Sequence, residues 1–232
     1  MRLDQGINDY LPPNGGIVSR IAPTPSGFLH AGNAYNFILT YLLTRSANGV
    51  LHLRIDDYDL GRYRQEFVQN IFDVLEFLGL EYDKGPISVS DFERNFSFKV
   101  RAKRYEDILE KLDEIYICEC SRTTKNAYIN GIYTKICKNK NLKFIKDKTA
   151  IRLSVDEGDP LGKLVAEQMG DFVIYKKDFT PAYNFASVID DEDIGINLVV
   201  RGEDLKACTL AQRYLAKRLN LNFYNANFIH HK

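Results

Sequence analysis

Two short stretches of this chain carry residue types that could do chemistry. The first runs Arg20-Ile-Ala-Pro-Thr-Pro-Ser-Gly-Phe-Leu-His30-Ala-Gly-Asn33. Its two prolines stiffen the turn, and Gly27 and Gly32 allow backbone to approach a ligand closely. His30 stands just before a helical pattern, where free amide hydrogens and the helix dipole favour anions, so a polyphosphate is the natural occupant. A capping loop with an incidental histidine is the alternative. The second stretch pairs Cys118-Glu-Cys120 with Tyr133-Thr-Lys-Ile-Cys137. Three thiolates within 20 residues suit a tetrahedral zinc ion with soft ligands. Reduced structural thiols are the alternative. The four histidines stand at 30, 52, 230 and 231, so a fourth ligand falls to Tyr133, Cys208, a carboxylate or water. A phenol ionises unaided only near pH ~10, so Tyr133 would bind only where the metal lowers that value.

The elements that must position these groups are readable from periodicity. Residues 1–16 read as an irregular lead, with Pro-Pro and Gly-Gly pairs. Ile17–Ala22 is a short apolar strand ending at Pro23. From Asn33, the residues Ala34, Phe37, Ile38, Tyr41 and Leu42 share one helical face, and Gly49 is the stop. Val50–Ile55 is a second strand, and Phe67, Ile71, Val74, Leu75 and Leu78 mark a second helix closed by Gly79. Strand, helix, strand, helix is the pattern of a parallel α/β unit. A third helix follows, carrying Tyr105, Ile108, Leu109 and Leu112. After it the alternation stops: a Lys-rich stretch at 118–148 leads to β-like segments at Ala150–Val155, Asp171–Tyr175 and Tyr183–Ile189. Gly195–Arg201 reads as a strand returning to the first sheet, and Thr209–Leu219 as a helix. The expectation is a parallel Rossmann-like sheet formed by residues 1–90 and 191–232, interrupted by an inserted α+β subdomain at 91–190.

Composition narrows the function classes. The chain has 232 residues, 45% hydrophobic and 27% charged, as in an ordinary soluble globular protein. Lys plus Arg number 31 and Asp plus Glu 31, so a strongly basic, non-specific nucleic-acid binder is disfavoured, though a local basic face is not. Two such runs exist: Arg94, Lys99, Arg101, Lys103 and Arg104, then Lys135, Lys138, Lys140, Lys143, Lys146 and Lys148 with only Asp147 between them. They read either as RNA phosphate contacts or as a solvated face. No apolar run approaches the roughly 18 residues of a bilayer span, and the start lacks the apolar core of a secretion signal. Four cysteines without such a signal point to a reducing cytoplasm and no membrane partner.

Three ordered strings add a family resemblance. Pro23 to Asn33, ending in His-Ala-Gly-Asn, resembles the proline-rich loop and "HIGH" element of class I aminoacyl-tRNA synthetases of the glutamyl type. Leu53-Arg-Ile-Asp-Asp-Tyr-Asp59 resembles their LRIEDTD segment, and Val200-Arg-Gly-Glu-Asp204 their VIRGED segment, preceded by Pro181-Ala-Tyr-Asn-Phe-Ala. The C-x-C and Y-x3-C pattern resembles the zinc site of glutamyl-queuosine tRNA(Asp) synthetases, truncated relatives without an anticodon-binding domain.

The resemblance implies a ligase that joins glutamate to the α-phosphate of ATP, with Mg2+, then passes the acyl group to an RNA hydroxyl. Neither step needs a covalent protein nucleophile; positioning and electrostatics carry the rate. It places Arg20, Ala22, Thr24, Asp56, Tyr183 and Arg201 at glutamate, and His30, Gly32 and Asn33 at ATP, with His30 and Asn33 catalytic. It makes Cys118, Cys120, Tyr133 and Cys137 the ligands of a structural zinc and puts both basic runs in the insertion, where such enzymes meet tRNA. Read without the resemblance, Arg20 and Arg201 could instead pair with Asp56, Asp57 or Glu203.

Two departures stand out. Asp56 replaces the family's Glu, one methylene longer, that holds the substrate ammonium. The phosphate-binding KMSKS loop is expected shortly after a strand near Phe228, yet the sequence stops at Lys232, so this form is expected to be a poor catalyst. The leading expectation is ATP-dependent attachment of glutamate to the queuosine base of tRNA(Asp). The alternatives are the catalytic domain of a glutamyl-tRNA synthetase charging tRNA(Glu), and a non-catalytic synthetase-like binding module. Relatives of the queuosine type activate glutamate without tRNA, whereas the standard enzymes require it.

Overall fold

A computed structural model describes residues 16–232; the irregular lead expected at 1–16 lies, but for Gly16, outside the described residues. In chain order the elements are β1 (Val18–Ile21), α1 (Ala31–Ser46), β2 (Val50–Leu53), α2 (Gln65–Phe77) and a single turn α3 (Val89–Asp91). A π-helical turn (Phe92–Phe96) leads into α4 (Phe98–Leu109), then β3 (Ile115–Cys118), β4 (Tyr128–Ile129), β5 (Ile132–Tyr133) and β6 (Ala150–Leu153). The rest is α5 (Pro160–Gln168), β7 (Val173–Tyr175), α6 (Tyr183–Asp193), β8 (Leu198–Gly202), α7 (Lys206–Arg218) and β9 (Asn227–His231). By packing, residues from Gly16 to Lys103 with Asp193–Glu203 and Asn225–Lys232 form one unit; Arg104–Glu192 and Asp204–Tyr224 form another. Residues 91–103 thus pack with the first unit, and 204–224 with the second. No helix among the described residues is long and apolar enough to cross a membrane.

The first unit is built on parallel strands. β1 pairs with β2 from Val18↔Val50 to Ile21↔Leu53, and β8 with β9 from Leu198↔Asn227 to Gly202↔His231. Asn197 joins the two pairs: its amide donates to the Val18 carbonyl (3.0 Å) and its side-chain oxygen accepts from the Val18 amide (2.8 Å). The Ser19 hydroxyl adds a bond to the Leu198 carbonyl (2.9 Å). Ile21, Leu51, Leu53 and Ile55 meet Phe37 of α1 and Val68, Ile71 and Leu75 of α2 in one core cluster. Leu43 of α1 meets Ile17, Leu198 and Val200 in another.

The buried face of α1 is not the expected one. Phe37, Thr40, Leu43 and Thr44 are buried, whereas Ile38 and Leu42 are 38% and 57% exposed. Each threonine bonds back into its own helix, Thr40 to the Asn36 carbonyl and Thr44 to the Thr40 carbonyl, both at 2.7 Å. A hydroxyl satisfied inside the helix is buried cheaply. The helix stop also differs: the left-handed residue is Asn48 (φ 50°), while Gly49 is required because a Cβ there would meet the Ile17 carbonyl oxygen at 2.6 Å.

The second unit holds the antiparallel sheet β3-β6-β7, the hairpin β4-β5 and helices α5, α6 and α7. The hairpin turns through Asn130 (φ 50°) and Gly131 (φ 81°), two positive angles of the kind a tight two-residue turn demands. The segment expected as β-like at Tyr183–Ile189 is helix α6 instead. Phe185, Ala186, Val188 and Ile189 are all buried, and a helix buried all round carries no 3.6-residue alternation to distinguish it from a buried strand. Helix α5 was not legible from apolar spacing; Asp159 caps it and Pro160 opens it.

Candidate active site and cysteine cluster

The candidate substrate residues of the first unit sit at the carboxyl ends of its parallel strands, where open α/β sheets bind ligands. Arg20 is the penultimate residue of β1 and Arg201 of β8; they are 5% and 4% exposed. The Arg201 guanidinium lies over the Phe228 ring, 5.0 Å from its centroid. Beyond the strands the two loops continue to pair, the Arg54 amide donating to the Ile21 carbonyl and the Asp56 amide to the Pro23 carbonyl, both at 2.9 Å. This holds half-buried Ala22 and exposed Thr24 next to the Arg54–Asp57 segment. Tyr183 opens α6 in the second unit.

Each acid of the Leu53–Asp59 string has a local cation. Asp56, 2% exposed, takes Arg54 Nε on Oδ1 (2.7 Å) and Nη2 on Oδ2 (2.9 Å), a two-pronged buried ion pair. A substrate ammonium would share those oxygens with Arg54. Asp57 accepts from the Phe98 amide (2.9 Å) and from Arg101 Nη2 (2.8 Å), so it caps the start of α4. Burial raises its carboxyl above the usual range, with Arg101 and the Phe98 amide pulling the other way. Asp59 pairs with Arg62 (2.6 Å). Neither Arg54 nor the Asp57–Arg101 pair was foreseen from sequence. Arg101, in a run read there either as RNA contacts or as a solvated face, is half-buried and bonded to Asp57 and the Ile55 carbonyl.

At the start of α1, His30 is the cap. Its Nδ1 accepts from the Gly32 amide (3.1 Å), and the Asn33 side-chain oxygen accepts from the His30 amide (3.0 Å). With Nδ1 as acceptor, the neutral ring carries its proton on Nε2, where it can donate to an anion. A Cβ on Gly32 would meet the ring at 3.0 Å, so a larger residue there would press on the capping imidazole. The first turn carries no acid of its own to offset the positive end of the helix dipole. Unforeseen residues brace the loop: Asn70 of α2 accepts from the Leu29 amide (2.9 Å), Phe28 packs edge-on to Phe67 (5.1 Å), and His231 of β9 bonds Asn36 (3.0 Å).

The second unit gathers the cysteines. Cys118, Cys120 and Cys137 are buried, unbridged, and keep their sulfurs within 4.8 Å of one another. Cys120 and Cys137 Sγ are 3.4 Å apart, and the Tyr133 hydroxyl lies 3.3 Å from Cys118 Sγ and 3.9 Å from Cys120 Sγ. It also accepts from the Cys137 amide (3.2 Å). Zinc–sulfur bonds of about 2.3 Å in a tetrahedron place sulfurs about 3.8 Å apart, so this donor set fits such an ion. Cys208, the other thiol considered, stands on α7. Burial pushes the Cys120 thiol up to about 11 and raises the Tyr133 phenol further. For Cys137 burial opposes ionisation, but hydrogen bonds from Tyr133 and the Glu119 backbone bring its thiol below the usual value. In the second lysine run, Lys135 pairs with Glu157 and Lys140 with Glu119 (2.8 Å), while Lys138, Lys143, Lys146 and Lys148 are exposed.

Parallel strands ending in buried arginines, with a His-Ala-Gly-Asn cap on the helix that follows, define the catalytic fold of a class I aminoacyl-tRNA synthetase. Residues 16–232 match the family of class I tRNA synthetases (E and Q), catalytic domain, and the chain belongs to that family. It is 35% identical over 217 residues to a glutamyl-Q tRNA(Asp) synthetase of Pseudomonas fluorescens, covering 88% of this chain and 69% of that protein. It is 33% identical over 230 residues to glutamate–tRNA ligase 2 of Caldicellulosiruptor saccharolyticus, covering 87% and 47%. The chain spans about half the length of the glutamate–tRNA ligases it matches. Its fold is similar to the crystal structure of a glutamate–tRNA synthetase from Elizabethkingia anophelis, with a TM-score of 0.72 at 20% identity, covering 93% of this chain and 50% of that one.

Proposed function

We propose that this chain activates L-glutamate with ATP and transfers it to the queuosine base of tRNA(Asp), in the cytoplasm. The observation that carries the glutamate reading is the pair of buried arginines, Arg20 and Arg201, at the ends of two strands that Asn197 and Ser19 join, the first of which leads into the loop and capped start of α1. Two guanidiniums suit a dicarboxylate, each able to bind a carboxylate through paired hydrogen bonds. In this reading His30 Nε2 and the positive end of α1, with Gly32 and Asn33, hold the phosphates of ATP, which enters with Mg2+. The substrate carboxylate attacks the α-phosphate, pyrophosphate leaves, and charge developing on the phosphoryl oxygens is met by these donors. The acyl group then passes from the acyl-adenylate to an RNA hydroxyl, which loses its proton as AMP leaves. The resemblance adds Ala22, Thr24 and Tyr183 to the glutamate contacts, and Asp56 to its ammonium.

The queuosine reading rests on the Cys118, Cys120, Tyr133, Cys137 set, which would hold a structural zinc. Bound there, zinc would tie β3, the β4-β5 hairpin and the loop after it into one piece; it takes no part in the chemistry. The exposed lysines at 138, 143, 146 and 148 would meet tRNA phosphates. A second reading, charging of tRNA(Glu), is favoured by the glutamate–tRNA ligases among the relatives. Pyrophosphate exchange by the full-length protein separates the two. The proposal predicts glutamate-dependent exchange without tRNA, and labelled glutamate on queuosine-containing tRNA(Asp). Exchange that requires tRNA, with label on the 3′ end of tRNA(Glu), would overturn it.

A further inference from the structure

Arg152 lies in β6, 3% exposed, at a register shift between Ile151 and Arg152 in the pairing with β7. Such an irregularity re-aims a side chain. Nη1 donates to the Asp171 carbonyl (2.7 Å) and Nη2 to the Tyr128 hydroxyl (2.6 Å). The guanidinium carbon sits 3.6 Å from the centroid of the Tyr133 ring and 5.7 Å from that of Tyr128. Nε is buried and has no hydrogen-bond partner among the described residues.

None of these partners carries a charge: they are a carbonyl, a phenol and two ring faces. The nearby Asp171 carboxylate is engaged elsewhere, by the Tyr116 hydroxyl (2.9 Å), the Val155 amide (2.9 Å) and the Lys135 ammonium (3.8 Å). A buried guanidinium without a counter-charge is costly. The Tyr133 ring on which it stacks carries the hydroxyl that lies 3.3 Å from Cys118 Sγ, so the sulfur cluster adjoins the guanidinium through that ring. The cluster in turn needs a cation. A divalent ion held by three thiolates carries excess negative charge, and a phenolate ligand adds to it.

We infer that Arg152 is the counter-ion of the metal–thiolate cluster: its fixed charge offsets the excess negative charge, and its stacking holds the Tyr133 ring with the hydroxyl toward the sulfurs. It is a positioning residue outside the ligand set, and the inference rests on reading the cluster as a metal site. It is tested on the whole chain by zinc affinity, measured in competition with a chromophoric chelator, and by the absorption spectrum of the cobalt-substituted protein, with circular dichroism as the check of folding. Arg152→Met is expected to weaken zinc binding about 10- to 100-fold, the usual loss for a group supporting the ligands, and Arg152→Lys, which keeps the charge, to lose well under tenfold. Parent-like affinity in Arg152→Met, or equal losses in the two variants, would overturn the inference. If Arg152→Met does not fold, Arg152→Gln makes the same comparison. If neither neutral variant folds with saturating zinc, Arg152→Lys decides alone, since a loss above tenfold there contradicts a charge role. A parent chain that binds neither zinc nor cobalt refutes the metal reading itself, a result distinct from parent and Arg152→Met binding alike.

Discussion

Replacing Asp56 by alanine removes the carboxylate that takes two N–H groups of Arg54 at 2.7 and 2.9 Å. Both partners are buried, at 2% and 8% exposure, so the Arg54 charge stays behind where water cannot replace the lost oxygens. Breaking one side of a buried pair costs about 3–5 kcal/mol. Arg54 makes other interactions, which places Asp56→Ala at the lower end, about 3 kcal/mol. For a chain of this size that corresponds to a fall in melting temperature of about 6–12 °C. Thermal and urea unfolding of parent and variant measure it, and the double variant Arg54→Met, Asp56→Ala should lose less than the two single losses combined. A loss below about 1 kcal/mol, the size of an exposed ion pair, would refute the reasoning.

Two further outcomes follow from other charged groups. Asp83 accepts from Arg45 (2.8 Å) and from the Leu51 amide (2.7 Å), which hold its carboxyl below the usual range. A depressed carboxyl contributes stability that is present above its unfolded value and lost as pH falls through the folded one. Asp83→Asn should therefore cost up to about 1 kcal/mol near neutral pH, discounted because the pair is partly exposed, and the difference should shrink below pH ~4. Urea midpoints at the two pH values check this; a pH-independent difference contradicts it. Replacing Lys143, Lys146 and Lys148 by alanine should weaken tRNA binding and lower the slope of log affinity against log salt by about 0.7–0.9 for each lysine that contacts a phosphate. Filter binding across a salt series reads that slope, and an unchanged slope removes these residues from the RNA surface.

The parts legible in the sequence were those with a local signature. β1, α1 and β2 announced themselves through apolar runs and turn residues, and His30, Gly32 and Asn33 fell where a cap needs them. The spacing of Cys118, Cys120 and Cys137 foretold a cluster and the family resemblance added Tyr133 to it; the structure brings the four side chains together. What stayed hidden depends on tertiary partners. Thr40 and Thr44 are polar by type, yet their hydroxyls close on their own helix, so the buried face of α1 was misjudged. Helix α6 is buried all round and lost its period. Arg101 looked like a free cation in a basic run because Asp57, its partner, lies 44 positions away. Arg152 gave no signal at all, since its role depends on β6 lying beside the cysteines. One clue was overlooked: Asn130-Gly131 between Tyr128-Ile129 and Ile132-Tyr133 is a strong hairpin signal, and that turn delivers Tyr133 to the sulfurs.

Titration calorimetry of L-glutamate into the chain, with a non-hydrolysable ATP analogue present, addresses the substrate assignment without requiring turnover. Arg201→Met, checked for folding by its melting temperature, should bind glutamate about 10- to 150-fold more weakly than the parent, the loss of a charge-assisted carboxylate contact of about 1.5–3 kcal/mol. Equal affinity in parent and variant, or no saturable glutamate binding by the folded parent, would contradict the assignment of these strand-end arginines to glutamate.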